Sequence, residues 1–237
     1  MRRVVAIVIG PLVAGLLAVG AAPPALASCN PVASAPARNS GTQDYQWVGI
    51  SQTPNATVNG LSSNIWNYAP YVPSGQFSYA WVLMYGGANR WAQVGNYEAV
   101  QGRNVVIQTA NGGGATNWDF PAQPLNSFTQ YEILYNSIQQ SFAFYAGGSL
   151  LVTDYGLSWR PYNAEVDAEI TALNTQMMGA VYNEDEFLNN SILYGPNPWQ
   201  AMSAPVQVTG QDGGHTTYFG AAGTSTTFYS WDKDCQQ

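Results

Sequence analysis

Residues 163–171 alternate strictly between two kinds of side chain. Glu165, Asp167, Glu169 and Thr171 occupy every second position, and Ala164, Val166, Ala168 and Ile170 stand between them. Successive side chains of a β-strand point to opposite faces, so this pattern predicts a strand with one polar face and one face against a core. The whole chain is only 9% charged, so three carboxylates in five residues are also a candidate functional cluster.

Short alternating segments recur between turn-forming clusters along the rest of the chain, and helical periodicity is nearly absent. Predicted strands lie near 45–51, 77–85, 90–98, 103–109, 129–137, 141–146, 149–154, 163–172, 190–195, 216–220 and 226–231, with glycine turns at 111–114, 146–148 and 211–214. Many short strands of this kind indicate an all-β, concanavalin-A-like or jelly-roll antiparallel β-sandwich. We expect a single sandwich domain over residues 43–237.

The N-terminus has the features of a secretory signal peptide, predicted over residues 1–27. Arg2 and Arg3 precede an apolar run, and Ala25-Leu26-Ala27 fits the cleavage site. Residues 28–42 then resemble a loose leader. Without the two arginines the chain has five basic and 14 acidic side chains, a formal charge of −9, which argues against nucleic-acid or anionic-membrane partners. We expect a secreted, extracellular monomer.

The two cysteines, Cys29 and Cys235, stand near either end of the mature sequence. In an exported protein this arrangement predicts a disulfide that ties the termini together. The alternative is lipidation, because Leu26-Ala27-Ser28-Cys29 also fits a bacterial lipoprotein processing box. Lipidation would anchor the protein to a membrane at Cys29 and leave Cys235 unpaired.

Two further strands present aromatic faces. Tyr79, Trp81, Leu83 and Tyr85 share one face of 77–85, and Trp91, Gln93, Gly95 and Tyr97 share one face of 90–98. If these faces and the carboxylate face belong to one sheet, they line a groove with aromatic walls and a polar floor, as in a binding cleft for a polymer. The alternatives are a solvated carboxylate face and aromatic stripes that belong to the core.

Other site chemistries find little support in the sequence. The single His215 follows two glycines and no G-x-S-x-G motif accompanies it, so a serine triad is not predicted. One histidine and two cysteines that are expected to pair give no metal-ligand set. No glycine-rich phosphate loop stands between a strand and a helix. We expect neither a metal nor a cofactor.

The stretch EVDAE (165–169) resembles the E-x-D-x-E signature of laminarinase- and lichenase-type glycoside hydrolases. That resemblance implies retaining hydrolysis with Glu165 as nucleophile and Glu169 as acid/base. Such enzymes need two carboxyl groups about 5–5.5 Å apart, whereas residues i and i+4 of a strand are roughly 13 Å apart along the chain. In that family a similar tyrosine-rich strand pair follows the signature, whereas here the pair at 131–151 precedes it.

A longer resemblance, in chain order, is to glutamic peptidases. Residues 168–194 resemble the C-terminal part of the neprosin domain, with Glu169 on its catalytic glutamate and Thr175-Gln176-Met177 on its Thr-Gln-Met loop. Residues 78–98 and 163–169 resemble strands of the eqolisins, fungal glutamic peptidases, with Gln93 on the catalytic glutamine and Trp81 on the tryptophan near the site. The chain thus resembles a neprosin-type domain with an eqolisin-type Gln/Glu dyad.

This resemblance implies a secreted endopeptidase that acts on peptide or protein substrates at acidic pH, with Glu169 as general base and acid and Gln93 as oxyanion donor. The residues implied to bind substrate or to support the dyad are Trp81, Trp91, Tyr97, Glu165, Asp167, Thr175 and Gln176. One alternative function is a non-catalytic, lectin-like carbohydrate-binding sandwich, which an aromatic groove serves equally well. The other is the glycoside hydrolase that uses Glu165 and Glu169.

Overall fold

The computed structural model describes Cys29 and residues 45–181, 183–195, 198–203, 206–209, 219–224 and 226–236. The predicted signal peptide, the turn at 211–214 and His215 lie outside these residues. The strands are, in chain order, β1 (Gln46–Gln52), β2 (Val58–Trp66), β3 (Ser78–Gly87), β4 (Arg90–Ala99), β5 (Gly102–Asn111), β6 (Ala115–Pro121), β7 (Phe128–Asn136), β8 (Ser141–Ala146), β9 (Ser149–Tyr155), β10 (Asn163–Ile170), β11 (Gly179–Val181), β12 (Asn183–Tyr194), β13 (Gln200–Ala201), β14 (Val206–Thr209), β15 (Phe219–Gly223) and β16 (Thr227–Gln236). The described part of the chain contains no helix long and apolar enough to cross a membrane.

Two sheets form the sandwich that the alternation predicts. The first has seven strands in the order β14-β1-β10-β3-β4-β5-β6. The second has nine, in the order β15-β16-β11-β12-β2-β7-β8-β9, with β13 paired to β12. Neighbouring strands run antiparallel throughout, apart from the short parallel contact between β11 and β16. The predicted all-β sandwich is therefore confirmed.

The apolar side of β10 faces the core, as its alternation predicts. Ala164, Val166, Ala168 and Ile170 are all fully buried. They belong to the same core cluster as Leu61, Ile133, Phe144 and Phe187 of the second sheet. Burial of a large aliphatic or aromatic side chain stabilises the folded state by about 1.5–3 kcal/mol. This core fixes β10 in one register, because a slip by one residue would turn the carboxylates inward.

Several strands are not predicted by the sequence, for identifiable reasons. In β2 the apolar alternation is interrupted by Ser62 and Ser63. Ser63 is nevertheless buried, and its hydroxyl donates a hydrogen bond to Asn190 Oδ1 at 2.7 Å, which offsets the cost of burying a polar group. The edge strand β6 has mostly exposed side chains and so carries no apolar period. The prediction of 190–195 covers only the end of β12, whose acidic beginning includes the fully buried Asp185.

The predicted disulfide between Cys29 and Cys235 is present, with the two Cα atoms 5.5 Å apart. It joins the segment before β1 to β16, and it leaves neither cysteine of the chain free. The predicted glycine turn at 146–148 is also present. Gly147 and Gly148 both have positive φ, which suits the two-residue hairpin that links β8 to β9.

Candidate functional site

The register of the first sheet brings the three predicted polar and aromatic faces together. β3 pairs with β10 on one side and with β4 on the other. Asp167 lies opposite Trp81, which in turn lies opposite Gly95. β1 and β5 flank this group, so Trp47 lies opposite Glu169, and Gln108 lies opposite Gln93. The carboxylate face and the two aromatic faces therefore form one continuous surface.

This surface contains a cavity of about 730 Å³. Two of its three carboxylates, Asp167 and Glu169, line the cavity together with the amide of Gln93. The remaining lining residues are mostly aromatic, and they are Tyr45, Trp47, Tyr79, Trp81, Leu83, Tyr85, Gly87, Ala88, Asn89, Trp91, Gln108, Ala115 and Tyr162. An aromatic wall with a few convergent polar groups is the usual composition of a ligand site.

Two glycines allow the strands to approach closely beside this cavity. A Cβ at Gly95 would lie 1.8 Å from the carbonyl oxygen of Ala80. A Cβ at Gly49 would lie 2.5 Å from the carbonyl oxygen of Val166 and 2.6 Å from the Cβ of Asp167. A side chain at either position would displace the strand that carries Trp81 or Asp167.

Glu169 accepts a hydrogen bond from a side chain of the aromatic wall. Trp81 Nε1 donates to Glu169 Oε2 at 3.2 Å. The indole ring of Trp81 is itself stacked on Tyr79, with 4.6 Å between ring centroids, so its position is fixed. Burial raises the pKa of Glu169 to about 7, and the hydrogen bond from Trp81 opposes that rise because it stabilises the ionised form.

Glu165 and Asp167 are more deeply buried than Glu169. Burial raises the pKa of Glu165 to about 8, partly offset by a hydrogen bond with Ser51 and reinforced by the nearby Glu169. The pKa of Asp167 lies well above its usual range, first through burial and then through repulsion from both glutamates. Glu165 Oε1 and Asp167 Oδ1 make no hydrogen bond in the described structure. Burial thus keeps the three carboxyl groups protonated to a higher pH than free carboxyl groups.

Gln93 is also buried, and its amide is oriented by a neighbour. Gln93 Nε2 donates to Gln108 Oε1 at 2.7 Å. The register places Gln93 opposite Leu83, and Leu83 opposite Glu165. Glu169 is four residues further along β10, roughly 13 Å at strand spacing. The pairing of Gln93 with Glu169 therefore stays a prediction, and Glu165 is the glutamate that lies level with Gln93.

Two of the predicted substrate-binding residues do not reach the surface. Thr175 and Gln176 are fully buried in the interior of the sandwich. Gln176 Oε1 accepts hydrogen bonds from the backbone N–H groups of Tyr71 and Cys29, and its Nε2 donates to Tyr68 and Gly179. The expectation that these residues position substrate is wrong, because Gln176 instead satisfies buried backbone groups.

The other predicted site residues lie on the expected face. Trp81 and Trp91 line the cavity, and Tyr97 lies on the same face beyond the cavity, with its ring 6.0 Å from that of Tyr79. Sequence reasoning missed Trp47 and Gln108. Both lie on predicted strands, so the same alternation would have assigned them to this face. The described residues contain no group of three or more histidines, cysteines or carboxylates that could hold a metal ion.

The sequence matches no established family profile, and no curated protein is similar to it. Solved structures do share its fold. Scytalido-glutamic peptidase, in a complex with a peptide-based transition state analog, superposes with a TM-score of 0.64 at 13% identity, over 81% of this chain and 100% of that chain. SCP-B, a member of the Eqolisin family of peptidases in a complex with the tripeptide Ala-Ile-His, superposes with a TM-score of 0.60 at 12% identity over the same shares. A Bacillus licheniformis beta-glucanase overlaps with a TM-score of only 0.37. The chain therefore has the fold of glutamic peptidases.

Proposed function

We propose that this chain is a secreted glutamic-type peptide hydrolase. The observation that carries the proposal is one cavity that contains carboxylates and a primary amide on the polar face of a glutamic-peptidase fold. Secretion is supported by the disulfide between Cys29 and Cys235, since such bonds persist in oxidising compartments. The neprosin-type character suggested by the sequence remains part of the proposal.

The chemistry needs a base and an oxyanion donor. An ionised glutamate takes a proton from water, and the water oxygen attacks the scissile carbonyl carbon. The Nε2–H of Gln93 donates to the oxyanion that forms, an interaction that lowers the barrier by about 3–4 kcal/mol in comparable sites. The protonated glutamate then gives its proton to the leaving amine. In this mechanism no side chain forms a covalent bond to the substrate, because water supplies the attacking oxygen.

Two observations select different glutamates as the base. Glu169 lines the cavity and receives the hydrogen bond from Trp81, so it is accessible to water and substrate. Glu165 lies level with Gln93 across β3 but is only 5% exposed and does not line the cavity. We assign the base to Glu169 because an attacking water must reach it. The variants below separate the two assignments.

The working pH follows from the carboxyl pKa values. The resemblance to glutamic peptidases implies an acidic range. A base whose pKa is raised to about 7 is mostly protonated in acid, so its burial moves the expected range upward toward neutral. The pH range of the assay therefore has to extend from acidic to alkaline values.

The glycoside hydrolase alternative fits the site less well. It requires both Glu165 and Glu169 to flank one bond, with their carboxyl groups about 5–5.5 Å apart for retention. Glu165 and Glu169 are four positions apart on one strand, but Glu169 is offset from Gln93 by the same four positions, so the offset does not distinguish the two functions. The glycoside hydrolase fits less well because only Glu169 of its two carboxylates lines the cavity. A non-catalytic binding groove has the same aromatic wall, so turnover is the property that distinguishes it.

The test is cleavage of a denatured protein substrate by the mature chain between pH 2.5 and 9. Wild type, Gln93→Leu, Glu169→Gln and Glu165→Gln are compared, with Glu132→Gln on the second sheet as control. We expect wild type and Glu132→Gln to cleave, and Gln93→Leu and Glu169→Gln to lose at least a hundredfold in kcat. Loss in Glu165→Gln but not in Glu169→Gln would move the base to Glu165. Absence of cleavage by folded wild type at every pH would refute the peptidase and favour a binding module.

A further inference from the structure

We propose that Gln108 is a positioning residue that holds the Gln93 amide in the orientation required for oxyanion stabilisation. The inference rests on the proposed function, because it needs Gln93 to act as the donor. Gln108 lies on β5 directly opposite Gln93 and lines the same cavity. Its Oε1 accepts the hydrogen bond from Gln93 Nε2 at 2.7 Å.

A primary amide needs such a partner because its two ends are opposite in polarity. The –NH₂ end carries two donors and the C=O end accepts, and the group can turn end for end by rotation about its last side-chain bond. If the C=O end faced the substrate, it would repel the oxyanion instead of stabilising it. An acceptor beside Gln93 engages one N–H and leaves the second N–H for the oxyanion. The bond to Gln108 also polarises the amide, which strengthens the remaining donor.

Gln108 has no substitute in the surroundings of Gln93. Along the part of the chain that the structure describes, no other side chain hydrogen-bonds to the Gln93 amide. Across β3 the neighbour of Gln93 is the apolar Leu83, and its neighbours in alternation on β4 are Trp91 and Gly95. Without Gln108, the two amide orientations would therefore differ little in energy.

The test compares Gln108→Met and Gln108→Glu with wild type in steady-state cleavage assays, with Asn117→Leu as control. Met fills similar space but lacks the acceptor, so we expect kcat to fall roughly five- to tenfold while KM stays within about twofold. Glu retains an acceptor oxygen, so we expect near-wild-type kcat while the new carboxyl is protonated. As that carboxyl ionises, its charge opposes the oxyanion and a new descending limb appears in the pH profile of kcat. Asn117 pairs with Gln108 from the exposed edge strand and lies outside the cavity lining, so its variant should match wild type.

A second readout does not depend on turnover. The side-chain ¹⁵N–¹H signals of Gln93 should show one protected and one exchangeable proton in wild type, and both should become equivalent in exchange rate in Gln108→Met. Two results would overturn the role of Gln108: a wild-type kcat in Gln108→Met, or a pH profile of Gln108→Glu identical to that of wild type. In either case, loss of activity in Gln93→Leu would still support the hydrolase. If Gln108→Met does not fold, the pH profile of Gln108→Glu decides alone. If wild type cleaves nothing, the hydrolase and this inference fall together.

Discussion

At the scale of single residues, Trp81 matters as a hydrogen-bond donor as well as an aromatic wall. Its Nε1–H stabilises ionised Glu169, and its ring is held by stacking on Tyr79. Trp81→Phe keeps most of the ring and removes the donor. The pKa of Glu169 should then rise by about one unit, because a hydrogen bond to a charged group stabilises it by roughly 1.5–3 kcal/mol.

The shift is measured as the midpoint of the ascending limb in the pH profile of kcat/KM, or by carboxyl ¹³C titration. Trp91→Phe is the matched control, since Trp91 lines the same cavity but makes no hydrogen bond to a carboxylate in the described structure. A midpoint that moves to lower pH in Trp81→Phe, or that moves equally in both variants, would contradict the role of the donor.

Gly49 is important because it has no side chain at a point where β1 closely approaches β10. A Cβ there would lie 2.6 Å from the Cβ of Asp167, so Gly49→Ala must push β1 away from β10 or shift Asp167. We expect a loss of roughly 1–3 kcal/mol in the free energy of unfolding, as for other overpacked sites. Gly113→Ala is the control, because a Cβ at Gly113 meets nothing within 4 Å. Urea unfolding measures both, and equal stability of the two variants would contradict the close approach.

At the scale of elements, β10 works as a set of coupled carboxyl groups. One group must be ionised to act as base, while its neighbours stay protonated because burial and mutual repulsion raise their pKa values. We expect a bell-shaped pH profile of kcat/KM whose ascending limb lies near the pKa of about 7 of Glu169. The descending limb should lie near the pKa of about 8 of Glu165, where a second negative charge enters the strand.

Glu165→Gln tests this coupling, since glutamine cannot ionise. The descending limb should move to higher pH or disappear, whereas the ascending limb should stay near its wild-type position, because Glu165 is still protonated where Glu169 ionises and exerts no charge repulsion there. Glu132→Gln on β7 of the other sheet should leave both limbs in place. If the profile of Glu165→Gln matches that of wild type, the carboxyl groups of β10 are not coupled.

The elements also show how far the sequence alone reaches. Alternation within 163–171, 77–85 and 90–98 predicted the strands and the residues on each face. It could not predict that Gln93 lies level with Glu165, because strand register depends on pairing between distant segments. It likewise could not place Gln176, since a short motif does not show whether its amide faces a groove or buried backbone groups. Strands without an apolar period, such as β6, left no pattern to detect.

At the scale of the whole molecule, buried carboxyl groups make stability depend on pH. The pKa values of Glu165, Asp167, Glu169 and Asp185 are all raised in the folded state, chiefly by burial. A carboxyl group whose folded pKa exceeds its unfolded value near 4 binds its proton more tightly in the folded state. Its contribution to stability is complete below about pH 4 and is lost as the pH rises through the folded pKa.

We therefore expect the free energy of unfolding to fall between about pH 4.5 and 8.5. Glu169 alone, with its pKa raised to about 7, contributes a decrease of up to roughly 3 kcal/mol. The excess of acidic over basic side chains acts in the same direction, because self-repulsion grows as carboxyl groups ionise. Denaturant unfolding at a series of pH values measures the slope. Asp167→Asn should reduce it, since the amide occupies the same buried position without a proton to lose. If the free energy of unfolding of wild type instead rises with pH over this range, the carboxyl groups of β10 are ionised in the folded protein. The pH profile expected for catalysis would then shift into the acid range.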